Sequence, residues 1–213
     1  MKERFGALFD LDGVLVDTEG IYTEFWSSID RRFPTGVKNF AFAIKGNTLT
    51  AILNNNFPDP EVQKQIVELL VEHEKNMDYK LFPGVDKFLS SLCEAGIPMA
   101  IVTSSDDKKM SNLFRALPGF AERFKAIITS EDVSRSKPDP QGYIIGAHRL
   151  GIPSERCIVF EDSFAGLEAG RRAGGRVVGL ATTQPRSAVE PLADITVGAL
   201  AELTVERLAS LFD

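Results

Sequence analysis

Short apolar runs punctuate this chain, and they are continuous rather than alternating. They fall at Phe5 to Phe9, Pro98 to Val102, Ala126 to Ile128, Cys157 to Phe160 and Arg176 to Leu180, with a weaker one at Ile195 to Val197. A strand that is apolar at successive positions is buried on both faces, as strands inside a parallel sheet are. Between the runs lie stretches with helical spacing: Val85 to Ala95, Lys108 to Leu117, Gln141 to Leu150 and Ala165 to Ala173. Each ends near Gly96, Pro118, Gly151 or Gly174, residue types that stop helices. Strand and helix in this rhythm predict an α/β fold with a doubly wound parallel sheet.

Residues 18–80 break the rhythm. They hold no convincing strand, but carry helical patterns at Glu19 to Arg31 and Pro60 to Asn76, with a shorter one at Thr48 to Asn54. Leu81-Phe-Pro-Gly-Val85 then reads as a linker with a turn. The expected organisation is an α/β core of residues 1–17 and 81–213, interrupted at 18–80 by an all-helical insert.

Composition narrows the class. At 213 residues and 44% hydrophobic content, the chain can bury a full core. Its 24 basic and 30 acidic residues leave a net charge of −6 with no basic run, which argues against nucleic acid as a partner. No apolar stretch is long enough to span a bilayer, so no membrane partner is expected. The opening Met1-Lys-Glu-Arg leads straight into a strand without the apolar region of a signal peptide. Cys93 and Cys157 read as reduced, buried thiols, in keeping with a cytoplasmic protein that is expected to act as a monomer. His73 and His148 both fall in helical stretches and read as surface residues. Acid–base work is therefore left to carboxylates or lysine.

The polar residues that follow the apolar runs form one set. After the first run come Asp10 and Asp12, with Gly13 to let the backbone turn. After the second comes Thr103-Ser104-Ser105, then Asp106 and Asp107. After the third, beyond a loop, comes Ser136-Lys137-Pro138-Asp139-Pro140, and after the fourth Glu161-Asp162-Ser163. Taken singly, each has a plainer reading: a solvated turn, a helix cap, a surface charge, a helix start. Ligands of open α/β sheets bind beyond the carboxyl ends of the strands, where all four would meet. Asp10, Asp12, Glu161 and Asp162 carry too much negative charge to share a crevice without a cation, and all-oxygen ligation points to Mg²⁺. Thr103 with the amides after it could donate to an anion, and Lys137 supplies a positive charge. That combination suits phosphoryl transfer.

The four motifs, Asp10-x-Asp12-Gly-Val, Thr103-Ser, Lys137-Pro and Glu161-Asp162-Ser-x-x-Gly166, resemble in order those of the haloacid dehalogenase superfamily. The insert after the first motif resembles the cap of the subgroup that holds β-phosphoglucomutase and small sugar-phosphate phosphatases. The resemblance implies an aspartyl-phosphate mechanism, with Asp10 as nucleophile and Asp12 as acid and then base. Thr103, Ser104 and Lys137 would hold the phosphoryl group. Mg²⁺ would be bound by Asp10, the backbone carbonyl of Asp12, and Asp162, with Glu161 in or near its shell. Lys45 could meet a substrate hydroxyl or phosphate.

Three departures separate the chain from the mutase pattern. Tyr22 stands where a histidine is expected, Asn47-Thr-Leu-Thr50 follows Lys45-Gly46 without an arginine, and Ser105-Asp106-Asp107 replaces a lysine after the second motif. Each removes a group that handles a second phosphate or its proton. The expectation is thus a Mg²⁺-dependent phosphatase of a small phosphorylated metabolite, a sugar phosphate by preference. A hexose phosphomutase is the alternative within the same fold. A non-catalytic protein that only binds Mg²⁺ or phosphate is a third reading, against which the presence of both Asp10 and Asp12 argues.

Overall fold

The computed structural model describes residues 5–213; the opening Met1-Lys-Glu-Arg discussed above lies outside them. Six strands sit where the six apolar runs predict: β1 (Gly6–Phe9), β2 (Met99–Val102), β3 (Ala126–Ile128), β4 (Cys157–Glu161), β5 (Arg176–Leu180) and β6 (Ile195–Val197). They form one parallel sheet in the order β3-β2-β1-β4-β5-β6. The winding direction reverses beside β1, and that switch point opens a crevice at the carboxyl ends of β1, β2 and β4.

Helices α1 (Glu19–Arg32), α2 (Phe40–Ala43), α3 (Leu49–Asn56) and α4 (Pro60–Lys75) follow β1. Helices α5 (Val85–Glu94), α6 (Asp107–Ala116), α7 (Gln141–Leu150) and α8 (Phe164–Arg172) alternate with the later strands, before the short α9 (Arg186–Val189) and α10 (Val205–Ala209). The single-turn α2, α9 and α10 were not anticipated, because four or five residues do not display a helical period.

Alternate strand residues enter opposite cores, as a pleated strand requires. Ala7, Phe9, Met99, Ile101, Ile158 and Phe160 join one cluster with Phe88 and Leu92 of α5. Leu8, Ala100, Val102, Cys157 and Val159 join the other with Tyr143 and Ala147 of α7. Phe9 and Phe160 stack across the β1–β4 ladder with centroids 4.4 Å apart, and Phe88 meets both edge-on. These rings pack just behind the crevice and anchor the two strands that deliver Asp10 and Glu161.

The helical segment has a core of its own, built on Phe25, Trp26, Ile29, Phe40, Phe57 and Ile66. The chain leaves and re-enters the sheet domain side by side: the Asp17 amide donates to Lys80 O at 2.8 Å, and Val16 bridges Leu81 antiparallel.

Two readings of single residues are corrected. Cys157 is buried in β4, but Cys93 is exposed. Helix α5 buries Val85, Phe88, Leu89 and Leu92, and the position after Leu92 turns to solvent. His148 is exposed as expected, whereas His73 is half-buried and stacks on Phe25 at 4.8 Å, which holds its pKa below the usual histidine value through burial.

Glycine decides how closely α8 can approach β4. A Cβ at Gly166 would lie 1.7 Å from Glu161 Oε1, a buried carboxylate that cannot move aside. Gly166→Ala is therefore expected to cost about 3 kcal/mol or more by overpacking. Gly20→Ala in α1, where nothing lies within 4 Å of the added carbon, should instead gain up to about 1 kcal/mol from helix propensity. Thermal melts of the two variants should move in opposite directions; melts that move together would refute the packing argument.

Candidate active site

Four strand ends supply the crevice. β1 ends at Asp10, whose amide donates to Phe160 O at 3.0 Å and so ties it to β4. Gly13, at φ +80°, then reverses the chain, and its amide donates to Val16 O at 3.0 Å. Asp12 is thereby held beside Asp10 instead of being carried away along the strand. β2 ends at Thr103, whose hydroxyl oxygen accepts the Ser105 amide at 3.1 Å. The cap of α6 is Asp106, which accepts the Lys109 amide at 2.7 Å. This explains one of the two acids after the second motif as structural.

The lysine loop is shaped by its own side chains. Gln141 Oε1 accepts the amides of Ser134 and Arg135 at 3.0 and 3.1 Å, and Asp139 accepts the Gln141 amide at the start of α7. That fold aims Lys137 inward. Its buried ammonium donates to Asp10 Oδ1 at 2.6 Å, Glu161 Oε1 at 2.6 Å and Val102 O at 3.1 Å. All three N–H bonds have acceptors. Burial alone would disfavour the charge, but Asp10 and Glu161 outweigh it and push the lysine pKa above its usual value.

Glu161 has no exposed surface. Oε1 accepts from Lys137 and from Tyr143 Oη at 2.8 Å; Oε2 accepts from the Asp162 amide, the Ser163 amide and Ser163 Oγ, each at 3.0 Å. Ser163 in turn caps α8 by accepting the Gly166 amide. Burial, then the Glu161 charge, hold the Tyr143 hydroxyl well above the usual tyrosine pKa, so it remains a donor.

Asp10, Glu161 and Asp162 present carboxylate oxygens within 4.8 Å of one another. Such an all-oxygen set fits a hard divalent cation. Since Glu161 already accepts five hydrogen bonds, Asp10 and Asp162 are the members suited to hold it. Burial pushes the Asp10 carboxyl up to about 8 despite Lys137, with Glu161 and Asp12 adding to the rise. A cation there would oppose that rise.

Asp12 has different partners. Thr18 Oγ1 donates to Oδ1 through a short bond, and Ser105 Oγ and Lys109 Nζ donate to Oδ2 at 3.1 and 2.5 Å. Asp10, Asp12, Glu161 and Asp162 outnumber the Lys137 and Lys109 ammonium groups that face them, an imbalance that favours a cation.

The remaining candidates meet or belong to the helical side. Ser104 Oγ donates to Gly46 O at 2.8 Å and so joins the two halves. Lys45 lines the crevice with its ammonium 4.9 Å from the Phe42 ring centre. Four residues of the site carry no motif. Lys109, Thr18, Tyr143 and Glu74 were not singled out from sequence. Lys109 did leave a signal: it shares the buried face of α6 with Met110 and Leu113, an uncommon place for a lysine.

Residues 7–180 match the family described as haloacid dehalogenase-like hydrolase, and the chain belongs to it. It is 29% identical over 206 residues to hexitol phosphatase A of Escherichia coli (strain K12), covering 95% of this chain and 94% of that protein. It is 31% identical over 212 residues to validoxylamine A 7'-phosphate phosphatase of Streptomyces hygroscopicus subsp. limoneus, covering 92% and 94%. A haloacid dehalogenase family hydrolase from Deinococcus radiodurans R1, solved with bound phosphate and sodium, matches with a TM-score of 0.73 at 28% identity, covering 99% and 98% of the two chains.

Tyr143 offers a test of how the buried charges are held. Tyr143→Phe keeps the ring in the core and removes one of the five donors to Glu161. A loss of about 1–2 kcal/mol in urea unfolding is expected. No change in stability would mean that the Tyr143 bond to Glu161 carries little.

Proposed function

We propose that this haloacid dehalogenase-like hydrolase is a Mg²⁺-dependent phosphatase of a small phosphorylated metabolite, a sugar or sugar-alcohol phosphate by preference, with residues 18–80 as its cap. The observation that carries the reading is the separation of the two motif aspartates. Asp10 is tied to Lys137 and the acidic cluster, whereas Asp12 is turned toward Lys109, Thr18 and Ser105. Two carboxylates so close, with different partners, suit two different tasks. The relatives named as phosphatases of a hexitol and of validoxylamine A 7'-phosphate support the substrate class.

Asp10 attacks phosphorus: an Asp10 O–P bond forms, the bond to the leaving oxygen breaks, and Asp12 gives that oxygen its proton. Asp12 then takes a proton from water, which attacks the aspartyl-phosphate, releasing phosphate and restoring Asp10. The Thr103 hydroxyl and the Ser104 amide hold the phosphoryl oxygens, and Lys137 neutralises charge beside Asp10. Mg²⁺ held by Asp10, Asp162 and the Asp12 carbonyl would supply Lewis-acid stabilisation of the transferring group. Glu161 supports that site through Lys137 and the Asp162 amide. The helical wall of the crevice is mainly apolar, with Trp26, Ile44, Leu49, Ile52 and Leu70. The lysines lining the crevice beside that wall are Lys45 and the Asp12-paired Lys109, a thin provision for gripping the second phosphate a mutase must hold.

Assay against a panel of phosphorylated metabolites should give stoichiometric phosphate release. With β-glucose 1-phosphate, free phosphate and not glucose 6-phosphate should accumulate; rapid isomerisation with little phosphate would make the chain a mutase. Asp10→Asn should remain folded and lose on the order of 10⁴-fold in kcat, ~5.5 kcal/mol of barrier. Activity within tenfold of wild type would remove Asp10 as nucleophile.

Metal dependence should carry a pH signature. An acid whose folded pKa lies above its ordinary value, 3.8 raised to about 8 for Asp10, weakens the metal-free fold as pH rises through that window. Mg²⁺ relieves this by replacing the proton. Its thermal stabilisation should therefore be larger at pH 8 than at pH 6, and chelation should abolish turnover. Equal shifts at both values, or activity that survives thorough chelation, would count against the site.

A further inference from the structure

A lysine on the buried face of a helix has to be explained by its partners, because desolvating an ammonium costs several kcal/mol. Lys109 is 4% exposed. Its ammonium sits 2.5 Å from Asp12 Oδ2 and 4.2 Å from the centre of the Tyr22 ring. Tyr22 Oη donates to Glu74 Oε1 at 2.7 Å, and Glu74 is itself buried. Burial raises the Glu74 pKa while the Lys109 charge pulls it down. One ammonium therefore lies between a carboxylate of the sheet domain and a tyrosine–glutamate pair of the helical segment. The lysine is on α6, Tyr22 on α1 and Glu74 on α4, so the three meet only through tertiary packing.

We propose that Lys109 is a positioning residue for Asp12, and that Tyr22 and Glu74 hold Lys109 so that Asp12 is aligned while the helical segment is seated. The inference rests on the phosphatase reading, in which Asp12 handles both protons. Lys109 transfers no proton in either step and acts only through Asp12. Its contribution is direction. Asp12 follows a strand end and precedes a glycine turn, and two of its three donors are neutral hydroxyls, from Thr18 and Ser105. The contact with Lys109 is also an ion pair, so it adds an opposite charge to the hydrogen bond, which the two hydroxyls do not. A proton donor must lie about 2.6–3.2 Å from the oxygen it serves, and a displacement of about 1 Å can cost on the order of 10²-fold in rate. The ring of Tyr22 and the charge of Glu74 close the side of Lys109 away from Asp12.

The test compares Lys109→Met with wild type and with Lys108→Met, an exposed neighbour on the same helix. On a sugar phosphate, Lys109→Met should lose about 100-fold in kcat with KM within threefold, and Lys108→Met should match wild type. On p-nitrophenyl phosphate the leaving group departs without a proton, so Lys109→Met should show a burst of about one nitrophenolate per enzyme and then slow turnover. The burst marks a first step that proceeds and a second step short of its base, an outcome that general destabilisation would not produce. Tyr22→Phe keeps the ring and removes the link to Glu74, and it should lose several-fold in kcat with KM unchanged. Should Lys109→Met fail to fold, Lys109→Gln is read in the same way. A kcat within threefold of wild type in the Lys109 variant, or equal losses on both substrates without a burst, would overturn the proposal; unchanged kcat in Tyr22→Phe would overturn the link to the helical segment. Wild-type protein inert on every phosphate ester would sink the phosphatase reading itself, a different failure from an active wild type with an equally active Lys109→Met.

Discussion

The Glu161 carboxylate has no exposed surface at the end of a central strand, and the rest of the site is arranged by how that group is satisfied. A buried carboxylate is stable only with charge and hydrogen bonds around it. Lys137 supplies the charge, and Tyr143, Ser163 and two backbone amides supply the bonds. In doing so they place everything else. The lysine that answers Glu161 also reaches Asp10. The amides that answer it belong to Asp162 and to the first residues before α8. Gly166 lets that helix close over the group without a Cβ in the way.

Charge balance then accounts for the distribution of roles. Lys137 is shared by Asp10 and Glu161, Lys109 lies between Asp12 and the Tyr22–Glu74 pair, and carboxylates outnumber ammonium groups. That excess fits a divalent cation at Asp10 and Asp162, where carboxylate oxygens lie close together. The crevice thus has one side built around Lys137, Glu161 and Asp10 and another built around Lys109 and Asp12.

The helical segment is more than a cover. It reaches the sheet domain at Gly46, which accepts from Ser104 and whose Cβ, if present, would lie 2.8 Å from Ser163 Oγ. It reaches it again through Tyr22 and Glu74 at Lys109. Both contacts fall on loops or helices that follow motif residues, so the segment packs directly against groups beside Asp12 and Asp162. Its crevice wall is largely apolar, whereas the sheet domain supplies most of the charged lining.

Most of the sheet was legible because the strands are buried on both faces, and double burial writes a continuous apolar run into the chain. The placement of Asp10, Asp12, Thr103 and Glu161 followed, since a residue after such a run must stand at the strand's carboxyl end. Local pattern determined these features without reference to anything distant. What it could not determine was who pairs with whom. In the sequence Lys109 is one of two neighbouring lysines, and only the meeting of α6 with α1 and α4 puts its ammonium between Asp12 and Tyr22. In the sequence Tyr143 is one residue of a helical stretch, and it is the packing of α7 against the sheet that brings its hydroxyl to Glu161. Ser104 read as an anion donor, and the approach of Gly46 gave its hydroxyl a different acceptor. Periodicity records which face of an element is buried, a one-body property of the chain; ion pairs and hydrogen bonds between elements are two-body properties, and only tertiary packing decides them.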